Sequence, residues 1–252
     1  MPNPTDATEE ETMRVYALSD IGSVRTLNED SYYVPQSGEK FCCVADGMGG
    51  HQAGEVASAL AVQVFAEKMR DVLPPPHDRL HRAVTAANAA IYEKARAQAE
   101  MSGMGTTITA LLLENGEAHI AHVGDSRCYL LRGKSLMKVT TDHTLVEEMM
   151  LKGVLTVQEA RNHPQRNLIT RALGTDEQVE VDLLRIRLQK GDVFLLCSDG
   201  LTGPVSDREI AEILNSRMKR ENKLQALVEK ALDAGGHDNI TVLIVTDEEE
   251  NA

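Results

Sequence analysis

Four aspartates of this chain stand at the ends of apolar runs that are typical of strands, each with a glycine close by: Asp46, Asp125, Asp199 and Asp238. Carboxylates at strand ends can converge on one rim of a sheet, where without a counter-charge they would raise one another's pKa. A hard divalent cation removes that repulsion, because Mg²⁺ and Mn²⁺ take oxygen ligands and prefer a few carboxylates plus waters. Two such cations about 4 Å apart can share a water, lower its pKa and direct it at phosphorus.

Residue types alone leave two interpretations of these aspartates open. An Asp-Gly pair after a strand is more often a turn than a ligand, because both residues are common in turns. The metal-site interpretation gains weak support from the loop that holds Arg25 and the cluster Asn28-Glu29-Asp30. One arginine and two acids could bind a phosphate together with its metals. The alternative for that loop is a solvated surface.

The charge of the chain argues against several other functions. Its 252 residues carry a net charge of −13, and part of the acidic excess lies in two tails, residues 1–12 and 247–252. A mildly acidic body lacks the positive face that sequence-independent binding to DNA or RNA requires. The N-terminus has no basic start and no apolar region, and no window holds the roughly 18 apolar residues of a membrane-spanning helix. We therefore predict a cytoplasmic protein that binds neither nucleic acid nor membrane.

Four cysteines lie in apolar runs of the strand type: Cys42, Cys43, Cys128 and Cys197. None forms a Cys-x-x-Cys pair and no histidine spacing matches a zinc site, so we interpret them as buried free thiols. None stands in the Cys-x5-Arg loop of a tyrosine phosphatase, which argues against a thiolate nucleophile.

Strands are predicted to pair mainly through hairpins. Two-residue turn signals stand between apolar runs at three places, Asn115-Gly116, Gly133-Lys134 and Lys190-Gly191. They predict hairpins that join 108–114 to 117–123, 127–132 to 135–140, and 182–188 to 192–198. Hairpins favour antiparallel sheets over a doubly wound parallel sheet. Three more runs have the strand pattern, 13–19, 40–46 and 240–246, and we expect Gly49 and Gly50 to stop the second.

Two pairs of segments have the apolar spacing of helices. The first helix, 55–71, has an apolar face marked by Val56, Leu60, Val64, Phe65 and Met69. A second helix follows the prolines at 74–76, and a further pair is predicted at 207–215 and 221–234.

One architecture buries all of these faces. It is an α+β fold in which two antiparallel sheets pack as a β-sandwich, with a helix pair on each outer face, over a single domain at 13–246. The segment 141–175 holds one short helical pattern at 144–152 and few apolar runs. We interpret it as an insertion over one edge of the sheets.

Six motifs resemble, in their order along the chain, those of the metal-dependent protein phosphatases, the PPM or protein phosphatase 2C family: Arg25-Thr26-Leu27-Asn28-Glu29-Asp30, Ala45-Asp46-Gly47-Met48-Gly49-Gly50, Gly105-Thr106-Thr107, Gly124-Asp125-Ser126-Arg127, Ser198-Asp199-Gly200-Leu201 and Asp238-Asn239-Ile240-Thr241. The match runs from about Tyr16 to Val245. The Asp-Gly-Met-Gly-Gly form is similar to the bacterial branch, whose members commonly oppose eukaryotic-like Ser/Thr kinases. The resemblance implies a β-sandwich flanked by helices, in agreement with the hairpin pattern.

The resemblance also implies roles for the candidate metal ligands. Asp46 would bridge two core ions, Mn²⁺ or Mg²⁺, and Asp199 and Asp238 would hold one of them. The Gly47 carbonyl, with Glu29 nearby, would serve the other ion, partly through waters.

Three further roles are implied in the same way. Asp30 would orient a metal-bound water, and Asp125 would bind a third, weaker metal together with Asp199. Arg25 would grip the phosphate of the substrate. The segment 141–175 matches the flap of the family, which borders the site and is thought to affect substrate choice.

One position departs from the better-known animal members, which carry a histidine where this chain has Met48. That histidine is a proposed general acid for the leaving alkoxide, and a thioether cannot donate a proton. His51 and His163 are candidate proton donors in its place. A structural or solvent role for either histidine, and a proton from metal-bound water, stay open as alternatives.

The activity that the resemblance implies is hydrolysis of phospho-Ser and phospho-Thr in proteins by a water held between two metals. Its partners would be phosphoproteins, including a Ser/Thr kinase and its targets, and the enzyme is expected to be a monomer. Two alternatives are a catalytically inactive, phosphoprotein-binding member and a phosphatase that switches an anti-sigma pathway. The first is disfavoured because the metal carboxylates are all present.

Overall fold

Two antiparallel sheets pack face to face in the computed structural model, which describes residues 13–49 and 53–247. The first sheet contains β1 (Arg14–Asp20), β7 (Arg127–Arg132), β8 (Ser135–Lys138), β10 (Val193–Cys197) and β11 (Ile240–Thr246), in the order β1-β11-β10-β7-β8. The second contains β2 (Asp30–Tyr33), β3 (Phe41–Met48), β5 (Ile108–Glu114), β6 (Glu117–Val123) and β9 (Asp182–Arg187), in the order β2-β3-β5-β6-β9. A short strand, β4 (Gly105–Thr106), pairs with the end of β3.

Helices cover both outer faces of this sandwich. On the second sheet lie α1 (Ala53–Met69) and α2 (Pro76–Ala97), and on the first lie α5 (Asp199–Thr202), α6 (Asp207–Leu214) and α7 (Arg220–Asp233). Two short helices, α3 (Leu145–Leu151) and α4 (Val157–Arg161), lie in the inserted segment. The predicted α+β sandwich with helices on both faces is confirmed. Among the described residues, no helix has both the length and the apolar character needed to cross a bilayer.

Apolar side chains fill each of the three interfaces between the layers. Between the sheets, Val44, Leu111 and Ile120 of the second sheet meet Phe194, Leu196 and Leu243 of the first. The four cysteines are buried free thiols, as predicted. Since fully burying one such side chain contributes about 1.5–3 kcal/mol, this core holds the strand ends in fixed positions.

Helix α1 fully buries only part of the predicted face, Phe65 and Met69, and buries a row of alanines beside it. Ala57, Ala61 and Phe65 are fully buried, whereas Val56 and Leu60 are only partly buried. The larger β-branched and leucine side chains therefore lie at the edge of the contact. Ala57 and Ala61 at the centre of this contact are small, so the helix can pack closely on the second sheet.

The third predicted hairpin is wrong. Strand β9 pairs with β6 in the second sheet, whereas β10 pairs with β7 and β11 in the first. Ile186 and Leu188 point into the same inter-sheet core as Phe194 and Leu196, so the chain crosses the sandwich at Lys190-Gly191 instead of folding back within one sheet. A two-residue turn signal does not distinguish these two connections.

Strand β3 is longer than predicted. It continues through Gly47 and Met48, which pair with Thr106 and Gly105. Asp46 therefore lies inside the strand, at the point where β3 changes partner from β5 to β4, and not at its end. The strand ends before Gly49; Gly50, like tail residues 1–12 and 248–252, lies outside the described residues.

Candidate active site

The two sheets bring five aspartates to one end of the sandwich. Asp30 and Asp46 are opposed on β2 and β3. Asp125 lies in the turn that leads from β6 to β7, and so from the second sheet to the first. Asp199 begins α5 directly after β10, and Asp238 precedes β11.

Four of these carboxylates, those of Asp30, Asp46, Asp125 and Asp199, have a raised pKa. Burial, followed by the charges of Asp30 and Asp199, raises the pKa of Asp46 well above its usual value. Burial and then the charge of Asp199 raise the pKa of Asp125 to about 8. Burial is also the main reason why the pKa of Asp30 is raised to about 7 and that of Asp199 to about 6. The cluster therefore lacks enough positive charge of its own.

The donor atoms fit divalent cations. Asp30 Oδ1 and Asp125 Oδ1 are buried and accept no hydrogen bond. Carboxylate oxygens in this number suit Mg²⁺ or Mn²⁺, which would supply the missing charge. Within 13–49 and 53–247, no three acidic, histidine or cysteine side chains already form a cage for a metal ion. Mg²⁺ commonly keeps several water ligands and is bound through only a few carboxylates.

Close backbone packing places Gly47 and Glu29 beside Asp46. A Cβ atom on Gly47 would lie 2.1 Å from the Gly54 carbonyl oxygen of α1 and 2.5 Å from that of Glu29. The Gly47 N–H donates to the same Glu29 oxygen at 3.1 Å. Only glycine fits between these two segments, so the sequence at Gly47 holds the Glu29 loop against α1.

Asp46 and Asp30 are each held by hydroxyl groups. The Asp46 N–H donates to Thr107 Oγ1 at 2.9 Å, and Thr106 Oγ1 donates to the Asp46 carbonyl at 2.8 Å. Ser198 Oγ donates to Asp30 Oδ2 at 2.7 Å. Oδ2 of Asp30 is thus fixed by Ser198, which follows β10 of the first sheet. Oδ1 can bind a ligand or a water.

Asn239 anchors the loop that carries Arg25 and Glu29. Its Nδ2 donates to the carbonyls of Ile21 and Leu27, both at 3.0 Å, and its Oδ1 accepts from the Glu29 N–H at 2.8 Å. Sequence reasoning placed Asn239 in a motif but gave it no role. The one sequence signal for a role of Asn239 in the site was its position directly after Asp238.

Replacing Asn239 by Ala is expected to destabilise the fold by about 2–4 kcal/mol, because three partly buried backbone groups lose their hydrogen-bond partner. A matched change, Asn215→Ala, removes an exposed amide that donates to two carbonyls and should cost far less. Urea unfolding of both variants measures the difference. Equal losses would show that Asn239 is not a special anchor.

Arg25 lies at the open side of the cluster. Its guanidinium is 2.9 Å from Asp238 and 3.5 Å from Glu29, and the side chain is 45% exposed. An arginine that is tethered by two carboxylates and still open to solvent can present N–H donors to an arriving phosphate.

The inserted segment forms one wall of a cleft of about 450 Å³ that reaches Asp125 and Asp199. Val146, Met150 and Val157 line it on one side, and residues 202–207 on the other. The predicted short helix in this segment is confirmed as α3, whereas α4 was not predicted.

Of the two candidate proton donors, His163 lies in the described part of the chain, and its hydrogen bond is a local one. His163 Nδ1 accepts from the Gln165 N–H within a local turn after α4. Met48 lies on β3 opposite Gly105. His51 lies outside the described residues.

The β-sandwich carries a cluster of carboxylates that lacks a positive counter-charge and lies beside an exposed arginine. This combination defines a candidate metal-dependent hydrolase. The profile of the family described as Protein phosphatase 2C matches residues 23–234. Serine/threonine protein phosphatase PstP of Mycobacterium tuberculosis is 44% identical over 235 residues, which are 92% of this chain and 44% of PstP. Protein phosphatase PhpP of Streptococcus pneumoniae is 38% identical over 246 residues, 95% of this chain and 100% of PhpP.

Solved structures agree with these relatives. The catalytic domain of serine/threonine protein phosphatase PstP in complex with two manganese ions matches with a TM-score of 0.83 and 41% identity, over 92% of this chain and 97% of that one. The chain belongs to the protein phosphatase 2C family. It spans less than half the length of PstP and all of PhpP.

Proposed function

We propose that this chain is a serine/threonine phosphoprotein phosphatase that depends on Mn²⁺ or Mg²⁺. The observation that carries the proposal is the cluster of aspartates whose pKa values burial and mutual repulsion raise, at the end of the sandwich beside Arg25. The manganese ions in the PstP structure support the choice of metal. When bound, two ions supply an activated water and neutralise charge on the phosphoryl oxygens.

Five residues of this chain are the proposed ligands of the two core ions. Asp46, between both sheets' carboxylates, is the proposed bridging ligand, with Asp199 and Asp238 on one ion. The Gly47 carbonyl, with Glu29 nearby, would serve the other ion, partly through waters. The charge of Asp238 acts on both Glu29 and Asp46, which supports these assignments.

Three more residues act around this centre. Asp125, with Asp199, is the proposed ligand of a third ion. Asp30 is held by Ser198 and offers its free oxygen to a water, which it can orient. Arg25 binds the phosphate, because its guanidinium is exposed on the rim.

Direct hydrolysis without a phosphoenzyme suits the buried cysteines. Burial raises the pKa of the Cys43 and Cys128 thiols above the usual value and that of Cys197 to about 12. None of these is a thiolate at neutral pH. The proton for the leaving alkoxide comes in this proposal from His51, His163 or a water, since Met48 has none to give.

The wider setting of the enzyme is part of the same proposal. Its substrates are phosphoproteins, among them a Ser/Thr kinase and its targets, and it acts as a cytoplasmic monomer. The flap at 141–175 contacts the substrate, because it forms a wall of the cleft beside Asp125 and Asp199. The names of PstP and PhpP support the reaction.

A divalent-metal titration of phosphopeptide hydrolysis tests the function. Purified chain treated with EDTA is expected to be inactive on phospho-Ser and phospho-Thr peptides, and Mn²⁺ or Mg²⁺ should restore turnover. Full activity in EDTA would contradict the metal site. Binding of a phosphopeptide without turnover under every metal would favour the inactive, phosphoprotein-binding alternative.

A further inference from the structure

The turn that carries Asp125 is held from the start of the flap by His143. The two residues His143 and Gly124 exchange a pair of hydrogen bonds. The His143 N–H donates to the Gly124 carbonyl at 2.7 Å, and the Gly124 N–H donates to His143 Nδ1 at 3.0 Å. Asp125 is the next residue, and its Oδ1 accepts no hydrogen bond.

Gly124 has little room to move between its neighbours. Its φ is +109°, and a Cβ atom there would lie 2.5 Å from Thr107 Cγ2. Thr107 in turn receives the Asp46 N–H. The turn is therefore confined between Thr107, which bonds Asp46, on one side and His143 on the other.

Hydrogen bonds also fix the orientation of the His143 ring. Because Nδ1 accepts from Gly124, the neutral ring carries its hydrogen on Nε2. Nε2 lies 3.2 Å from Asp182 Oδ2, to which it donates, and Arg171 Nη1 lies 3.0 Å from the same nitrogen. Arg171 holds Asp182 by a 2.7 Å ion pair. His143 is buried, and burial lowers its pKa, so the neutral ring is the native form.

The residues before His143 contact the two strands that flank this turn, β6 and β7. Arg127 forms a bidentate ion pair with Asp142, with N–O distances of 2.6–3.0 Å. His122 Nε2 donates to the Thr141 carbonyl at 3.0 Å. Thr141 and Asp142 thus hold the flap segment to the strands on either side of the turn, and His143 alone among these three residues bonds the backbone next to Asp125.

We propose that His143 is a positioning residue for Asp125: through Gly124 it sets where the Asp125 carboxylate points, and Asp182 sets the ring. The inference rests on the proposed function, since it takes Asp125 as a ligand of the weaker metal. Unlike Asp46, Asp125 lies in a turn and not in a strand, so its position depends on side-chain support. Loss of groups that orient a ligand commonly lowers metal affinity 10–100-fold.

Three variants separate the two bonds of the ring. His143→Ala removes both. His143→Asn keeps an acceptor near the Nδ1 position and loses the link to Asp182, whereas His143→Gln keeps a donor near Nε2 and loses the acceptor for Gly124. Mn²⁺ binding to each folded variant, followed by electron paramagnetic resonance of free Mn²⁺, is expected to show a weakest site at least about 10-fold weaker in the Ala and Gln variants. The Asn variant should recover most of the affinity.

A double-mutant cycle distinguishes positioning from general support of the fold. Asp125→Asn should abolish the weakest site, and adding His143→Ala to it should then change Mn²⁺ binding no further. His119→Gln is the matched control, a buried histidine on β6 that packs against His77. It should lower the melting temperature without altering Mn²⁺ binding.

Each outcome bears on one proposal. Unchanged weak-site affinity in folded His143→Ala, or an equal loss in His119→Gln, would overturn the positioning role. If the wild-type chain binds Mn²⁺ through Asp125 and the His143 variants behave as expected, but no phosphopeptide is hydrolysed, the proposed function fails and the positioning role stands.

Discussion

Asp46→Asn is expected to lower kcat for phosphopeptide hydrolysis by at least about 10³-fold, a loss of about 4 kcal/mol in transition-state stabilisation. The asparagine amide has the shape of the carboxylate but not its charge. The charge is lost at Asp46, which lies among the carboxylates of both sheets. The aspartates that raise the pKa of Asp46 would remain, but the proposed ligand between the two cations would be lost. No increase in Mn²⁺ concentration should restore the rate.

The same change is expected to leave the fold intact. The backbone of Asp46 bonds Thr107 and Thr106, and these bonds do not involve the carboxylate. Without metal, removal of one charge from a crowded set relieves repulsion, so the melting temperature in EDTA should be equal or higher. Stopped assays of phosphate release and thermal unfolding measure the two effects side by side.

Asp192 offers a matched control at the opposite end of β10. Its carboxylate is buried and pairs with Arg132 at 2.7 Å. Asp192→Asn weakens that pair, and we expect lower stability with nearly normal kcat, which is the reverse of the Asp46 variant. Mn²⁺-dependent hydrolysis at wild-type rate by Asp46→Asn would remove Asp46 from the centre of the reaction.

Local turn signals predict where the chain turns but not which sheet the next strand joins. Asn115 and Gly116 both adopt positive φ, 57° and 71°, as a tight antiparallel hairpin requires, and that hairpin was predicted correctly. Lys190-Gly191 has only Gly191 at positive φ. Its two strands separate because their apolar faces meet across the sandwich, and such a long-range contact leaves no local signal.

The sequence predicted the carboxylates of the candidate site but not the residues that hold them in place. Asp-Gly pairs after apolar runs indicated carboxylates at one rim, and family motifs assigned their roles. The residues that fix those carboxylates, Asn239, Ser198 and His143, were not given roles, because a single polar residue in a sequence does not reveal its partners. Their contacts join segments up to 218 residues apart.

Stability in the absence of metal is expected to depend on pH through the same carboxylates. In the folded chain the pKa values of Asp199, Asp30 and Asp125 are raised to about 6, 7 and 8, from the ordinary value of 3.8 that applies to the unfolded chain. Below about pH 4 both states are protonated and these groups contribute nothing. Between about pH 4 and 8 the unfolded state loses its protons first, so folding stability falls, and above about pH 8 the full loss is reached.

Buried histidines act in the opposite sense over part of this range. Burial lowers the pKa of His122 to about 4, so its contribution to stability rises with pH until the unfolded imidazole is neutral, near pH 6.5. The histidine effect is present with or without metal. A comparison at each pH between EDTA and saturating Mn²⁺ therefore isolates the carboxylates.

The melting temperature in Mn²⁺ minus that in EDTA is expected to widen steadily from pH 5 to pH 8. At a free Mn²⁺ concentration 100 times the dissociation constant, one site adds about 2.7 kcal/mol. For a chain of this size that is a shift of roughly 5–10 °C. Differential scanning fluorimetry across buffers that do not bind metal measures it.

Variants without metal separate repulsion from simple competition between protons and Mn²⁺. In EDTA at pH 8, Asp46→Asn and Asp125→Asn should each melt above the wild-type chain, because an amide has no charge to bury. At pH 5 the advantage should shrink, since the wild-type carboxyls then hold their protons in the folded state. An advantage that is equal at both pH values would mean that these carboxylates do not repel one another in the folded chain, and the case for a cation-requiring centre would lose its physical basis.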